Sequence, residues 1–354
     1  MRQTTKILLT MSAAALFASA CNPEIGGEEG NLTLTYNEGP IGGATGSSPL
    51  AVGAKLDYSA MVNGNKEQKV SFDSATAADD KIIRVDGVNG GLMTLEGVAD
   101  GETTIDVEAT APDGEALTDS FELEAATVDA LEFDNPCAKD AEALYLVDHD
   151  ISLHYTMRAG GKIAVGYGHY PVEFEPADAA TLGDSTVNGL LPLRTPSTPG
   201  EISVKSQVDD TTFALTLIEQ GDIDGAKIFE QDFLDESNFP VEVDKSLTLH
   251  LLPTASGLLP AIQEPVPVCQ SDIAIEATAT TSDTCEVAYE ARTSDDGLFN
   301  LYEPNVLKVT GKAEGSCEID VSIPGADGGN GITETFTFDV RPASETNDQQ
   351  ENEG

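Results

Sequence analysis

Leu92-Met-Thr-Leu-Glu-Gly97-Val-Ala-Asp-Gly101-Glu-Thr-Thr-Ile-Asp-Val-Glu-Ala109 is the stretch whose reading decides the fold. In its second half Ile105, Val107 and Ala109 alternate with Asp106 and Glu108. A period of two puts the apolar set on one face of a strand and the carboxylates on the other, in water. Gly101 opens that strand after a short turn, and a second strand, Phe121-Glu-Leu-Glu-Ala, follows a further turn.

The pattern returns twice. Leu193, Gly200-Glu-Ile-Ser-Val and Phe213-Ala-Leu-Thr-Leu repeat it, and so do Val309, Gly315-Ser-Cys-Glu-Ile-Asp-Val and Phe336-Thr-Phe-Asp-Val. Upstream stand Val70-Ser-Phe72-Asp73, Val172-Glu-Phe174-Glu175 and Val287-Ala-Tyr289-Glu290. They precede the turn glycine by 31, 28 and 28 residues. Earlier still come Leu56-Asp-Tyr58, Ile151-Ser-Leu153-His-Tyr155 and Leu247-Thr-Leu249-His250. Three markers in one order, three times, define a repeat with spacings of 99 and then 115 residues between glycines. The longer last repeat carries an insertion near 254–284. Many short alternating strands between turns read as all-β, tandem immunoglobulin-like antiparallel β-sandwiches. The expected division is 31–127, 128–222 and 223–343, with an acidic, disordered tail at 344–354.

The quoted stretch resembles the end of a bacterial Ig-like domain of the group-2, intimin/invasin-like kind. The resemblance covers roughly residues 31–127, and the other two repeats follow it through the markers. It implies an extracellular or periplasmic spacer, adhesive or carbohydrate-contacting role and brings no catalytic residues. Four cysteines lie in the repeats. With the repeats aligned, Cys285 and Cys317 fall in core strands of one domain. That favours Cys285–Cys317 and leaves Cys137–Cys269 to stiffen the junction of domains two and three; pairing Cys269 with Cys285 inside the insertion stays open. An oxidising compartment suits all of these.

The leader gives the address. Arg2 and Lys6 precede an apolar run, Ile7 to Phe17, that is shorter than the roughly twenty residues a membrane span needs. It ends in Ala18-Ser19-Ala20-Cys21. This resembles the lipobox of bacterial lipoproteins, with Ala18 standing where Leu is commonest. The expectation is a signal peptide at 1–20, lipidation of Cys21 and a flexible tether at 21–30, rich in Gly and Glu. Asn22 in place of Asp implies, by resemblance to the sorting rule of enteric bacteria, the outer membrane rather than the inner. An ordinary leader cut at the same Ala-x-Ala site is the simpler alternative.

Composition excludes one class. The whole chain holds 18 basic and 62 acidic residues. Without Arg2 and Lys6 the remainder carries 16 against 62, a net charge of −46. Such a field repels nucleic acid and keeps a surface protein soluble.

Candidate chemistry is sparse. Asp148-His149-Asp150, His154 and His169 supply imidazoles and carboxylates for a metal, yet alternation of His154 with Leu153 and Tyr155 turns its side chain toward solvent. Gln220-Gly-Asp222-Ile-Asp224-Gly225 resembles half of an EF-type calcium loop but has Gln220 and Gln231 at its two ends. It reads as an interdomain linker, while the acidic turns still admit calcium at a domain junction. No nucleophile elbow, zinc-protease motif or phosphate loop occurs. The expectation is a non-enzymatic lipoprotein with no resident cofactor, presenting its domains for adhesion or ligand binding. Its partners would be the membrane, through the lipid, and an envelope protein or surface glycan. The insertion is the expected docking site. A structural spacer, and then an enzyme or enzyme accessory, are the alternatives.

Overall fold

The computed structural model describes residues 22–134, 143–229, 240–258, 264–270, 273, 275–291, 305–325 and 331–342. The strands are named here in chain order. The first sandwich contains β1 (Glu24–Gly26), β2 (Leu32–Tyr36), β3 (Leu50–Ala51), β4 (Lys55–Val62), β5 (Ser71–Ala77), β6 (Ile83–Asn89), β7 (Leu92–Gly97), β8 (Gly101–Thr110) and β9 (Ala116–Ala126). The second contains β10 (Ala130–Asp134), β11 (Leu144–Leu146), β12 (Asp150–Ala159), β13 (Lys162–Ala164), β14 (Val172–Glu175), β15 (Thr181–Leu182), β16 (Leu190–Arg194), β17 (Gly200–Ser206) and β18 (Thr212–Ile218). In the third come β19 (Gly225–Phe229), β20 (Val241–Glu242), β21 (Ser246–Ala255), β22 (Val266–Cys269), β23 (Glu276–Ala279), β24 (Cys285–Ala291), β25 (Asn305–Gly311), β26 (Gly315–Ile323) and β27 (Ile332–Arg341).

One plan serves all three. The sheet orders β2-β4-β7-β6, β10-β12-β16-β15 and β19-β21-β25-β24 match strand for strand. So do β3-β9-β8-β5, β11-β18-β17-β14 and β20-β27-β26-β23. In each, a short second strand runs parallel to the last strand of its sandwich. Two facing sheets in this order are the immunoglobulin-like sandwich.

The repeat holds residue by residue. Leu56 pairs with Leu95, Ile151 with Leu193 and Leu247 with Val309. Four residues after each turn glycine, Ile105 faces Phe121, Val204 faces Phe213 and Ile319 faces Phe336. Gly101, Gly200 and Gly315 share φ of 145°, 142° and 142°, a left-handed backbone that disfavours a side chain.

Three expectations need correction. Residues 22–30 are not a flexible tether, because β1 folds back along β2 as an added edge strand. The marker Val287-Ala-Tyr289-Glu290 is not the partner of the other two. It lies in β24, which pairs with β25 as β6 pairs with β7, whereas the earlier copies flank or form β5 and β14. A period of two with an aromatic residue suits any half-buried strand, so spacing alone could not tell neighbours apart. Nor is 254–284 an appended insertion: β23 fills the place of β5 and β14, and β22 extends the sheet.

The third sandwich is tied across its two sheets by the expected Cys285–Cys317 disulfide. That bond excludes Cys269–Cys285. Cys269 is itself disulfide-bonded. Cys21, Cys137 and the tail at 344–354 lie outside the described residues.

One sheet runs through two sandwiches. β11 pairs in parallel with β18 on one side and with β22 on the other. Leu144 and Leu146 are buried in the third sandwich's core, and Tyr145 between them is buried in the second's. Beside this strand the Gln270 side chain accepts from the Ser152 N–H and donates to the Ser152 carbonyl, both at 2.7 Å. On that edge of β12, among the described residues, the pairing with β10 ends at Asp134 opposite His154, short of Ser152. A side-chain amide from the third sandwich thus completes the second's backbone bonding.

Candidate functional site

The first junction is built differently. After β13 the chain extends Val165-Gly166-Tyr167 along the first sandwich. Val165 donates to the Pro49 carbonyl and accepts from Ala51, both at 2.9 Å; Tyr167 and Lys55 exchange bonds of 2.7 and 2.9 Å. Cores are exchanged as well: Val165 packs in the first sandwich's core, Ala51 and Ala54 in the second's. Gly166 has φ of 136°, and a Cβ there would stand 2.6 Å from that of Ala54. Asn188, 2% exposed, closes the contact. Its Oδ1 accepts from Gly166 N–H at 2.8 Å and its Nδ2 donates to the Glu38 carbonyl at 2.7 Å. The Lys162–Glu124 ion pair, 2.6 Å, spans the rim.

Above this contact lies a groove of about 310 Å³ between the outer face of the first sandwich and the loop Thr186–Asn188. Cross-strand pairs make its floor. Thr35 and Ser59 hydroxyls bond at 2.9 Å, and Thr94 donates to Asp57 at 2.5 Å. Tyr167 lies beside Asp57; its burial, then that carboxylate, push the phenol pKa well up, so it stays a neutral donor. Leu92, 48% exposed, stands on the wall. A second hollow of about 310 Å³ shares Asn22, Thr35 and Ser59 with it and ends at Lys66 and Lys69. Hydroxyl, carboxylate and carboxamide groups around one apolar side chain can hold a polar ligand by hydrogen bonds.

The histidines come to rest in separate places. His149 sits in a turn with Nδ1 2.7 Å from the Val147 carbonyl. His169 lies against Gly53 at the first junction. His154 is half-buried on β12, not solvent-facing as its alternation implied, and burial lowers its pKa to about 4. Ser152 and Thr156 on the same parity are buried too, because this stretch of the outer face is covered. Asp222 and Asp224 of the calcium-like loop have local work: Asp222 accepts from Glu219 N–H at 3.0 Å, and Asp224 from Ser256 N–H at 3.1 Å. Among the described residues no three His, Cys, Asp or Glu side chains gather as metal ligands, and no helix is long and apolar enough to cross a membrane.

Sequence reading missed Asn188, Gly166 and Asp119. Val187-Asn-Gly has the composition of an ordinary turn, which carries no sign of a contact with another domain. Asp119 did carry a signal, since it shares the inward parity of Phe121, Leu123 and Ala125.

No family model matches the chain, and no curated protein does. Among solved structures it is similar to domains 4–9 of the surface layer protein SbsC, at 13% identity and TM-score 0.26, over 88% of this chain and 47% of that one. Invasin, a bacterial integrin-binding protein, follows at 13% and 0.21, over 88% and 60%. The Bacteroides ovatus mixed-linkage glucan utilization locus protein SGBP-B, in complex with a heptasaccharide, gives 10% and 0.23, over 87% and 69%. The chain spans about half the length of the S-layer fragment. Likeness at these TM-scores decides nothing about function, and the immunoglobulin-like plan stands on strand order.

Proposed function

We propose that this chain is a non-enzymatic, lipid-anchored protein of the cell envelope, on the outer membrane, that presents immunoglobulin-like domains for adhesion or for binding a ligand or protein. The observation that carries this reading is the pair of fused junctions, which make three sandwiches one stiff body. Binding surfaces on a preorganised body lose little conformational freedom when a partner docks. The leader ending at Cys21 supplies the anchor. The faces turned away from the first junction are the surface offered to an envelope protein or surface glycan. The same fusion also favours a second reading, a spacer without a ligand of its own.

Two steps test this. Mass measurement of the chain from its own cells, beside Cys21→Ser, reads the anchor: loss of a diacylglycerol mass in the variant supports it, and an unlipidated natural chain sinks it. Capture from whole envelope then compares the chain with Asp57→Asn/Leu92→Ser. A partner held by both supports binding on the faces turned away from the first junction, and one lost with the second places binding in the groove instead. Capture of nothing by the folded natural chain leaves the spacer.

A further inference from the structure

The start of the folded chain lies at the boundary between two sandwiches, away from the tip of the first. β1 pairs antiparallel with β2, Glu24 opposite Thr35 and Gly26 opposite Thr33. Extending that register by two residues brings Asn22 opposite Asn37. The next residue, Glu38, gives its carbonyl to Asn188 of the second sandwich. Asn22 and Asn188 line one groove.

A clasp at the other end of β1 holds this arrangement. Asp119, 2% exposed, accepts from the N–H groups of Glu29, Asn31 and Leu32 at 2.9, 2.8 and 2.8 Å. Glu28 donates to the Ser120 carbonyl, and the Glu29 carboxylate accepts the Ser120 N–H, both at 2.9 Å. Gly27 passes so close that a Cβ would stand 2.1 Å from Asp119 Cγ. Charge-assisted bonds to a buried carboxylate are strong, and losing them strands the charge.

Resting on the anchor reading, we infer that the face around the first junction lies against the bilayer, so that the protein is held there and not by the far end of its first sandwich. Peptide geometry sets the α-carbon of residue 21 about 3.8 Å from that of Asn22; a free ten-residue tether would average about 17 Å. The surface that meets the membrane has the chemistry of a zwitterionic phospholipid headgroup. Lys69 and Lys66, the latter 3.6 Å from the Glu24 carboxylate in the same hollow, lie beside Asn22 and match its phosphate. Asp57 matches its amine, and exposed Leu92 suits the boundary with the acyl chains.

The test is hydrogen exchange of the full acylated chain in vesicles of phosphatidylethanolamine and phosphatidylcholine. A variant with ten Gly/Ser residues inserted between Cys21 and Asn22, equally acylated, is the comparison. The natural chain is expected to exchange at least about fivefold more slowly at residues 37–38 and 184–187. The turn 112–115 and β23 should exchange alike in both. Equal rates at the junction, with diacylglycerol on Cys21 confirmed by mass, overturn this placement and leave the anchor reading intact. An unlipidated chain overturns the anchor reading and the placement with it.

Discussion

The two junctions join the same kind of sandwich by opposite means. Between the second and third, β11 is a strand of both, and alternate side chains serve different cores: Leu144 and Leu146 one way, Tyr145 the other. Between the first and second, a loop reaches across, exchanges four backbone bonds with its neighbour and is locked by Gly166 and Asn188. A shared strand makes the stability of one core depend on the other. A spliced loop fixes orientation while each core keeps its own sheets, and it leaves the groove open above it.

The contrast breaks most easily at β11. Leu144→Ala should cost about 2–5 kcal/mol, and urea titration followed in both sandwiches should show the second and third unfolding together; Tyr145→Ala should do likewise. Two separate transitions would mean that the shared strand does not couple them. At the first junction Gly166→Ala, crowding Ala54, should cost about 1–3 kcal/mol. Small-angle scattering should then show a broadened angle between the first two sandwiches, with the second-to-third transition unchanged. Asn188→Ala, which strands the Gly166 N–H, should act the same way at about 1–3 kcal/mol.

His154 separates the regions by pH. Burial holds its folded pKa near 4, below the unfolded value of about 6.5. Its neutral form is therefore fully compatible with folding above about 6.5, and stability is lost as pH falls from there toward 4. The loss should appear in the second and third sandwiches and shrink in His154→Gln, read by denaturation at a series of pH values. Smallest of all is the rim. Glu124→Gln, removing the exposed pair with Lys162, should change stability by less than about 1 kcal/mol, and less still in high salt. A larger effect there would mean the loop splice depends on charge.

Much of the plan was legible in the residues. Gly101, Gly200 and Gly315 mark the same turn because their backbone geometry excludes most other residues, and the apolar parity of Ile105, Val204 and Ile319 follows from a buried face. Cys285 and Cys317 share a domain because the repeat places both in core strands of its last copy. The misreadings have a common source. The Val287 marker, the insertion and the tether were judged from local pattern, and a half-buried strand looks alike wherever it sits in a sheet. β1 contains two glycine neighbours and an acidic end, so nothing local announced a strand; its pairing with β2 and the Asp119 clasp are what order it.

By itself, then, the sequence determined the number of sandwiches, the parity of their repeated strands and the favoured disulfide pairing, because each depends on spacing along the chain. Only the tertiary structure decided that the sandwiches are fused, that β22 completes a sheet shared with its neighbour, and that Asn22 emerges at the first junction. Those facts rest on contacts between residues more than one hundred positions apart, such as Ser152 with Gln270 and Glu38 with Asn188. In each, a side-chain amide meets a backbone group, and every residue carries such a group, so the partner is written nowhere in the local pattern.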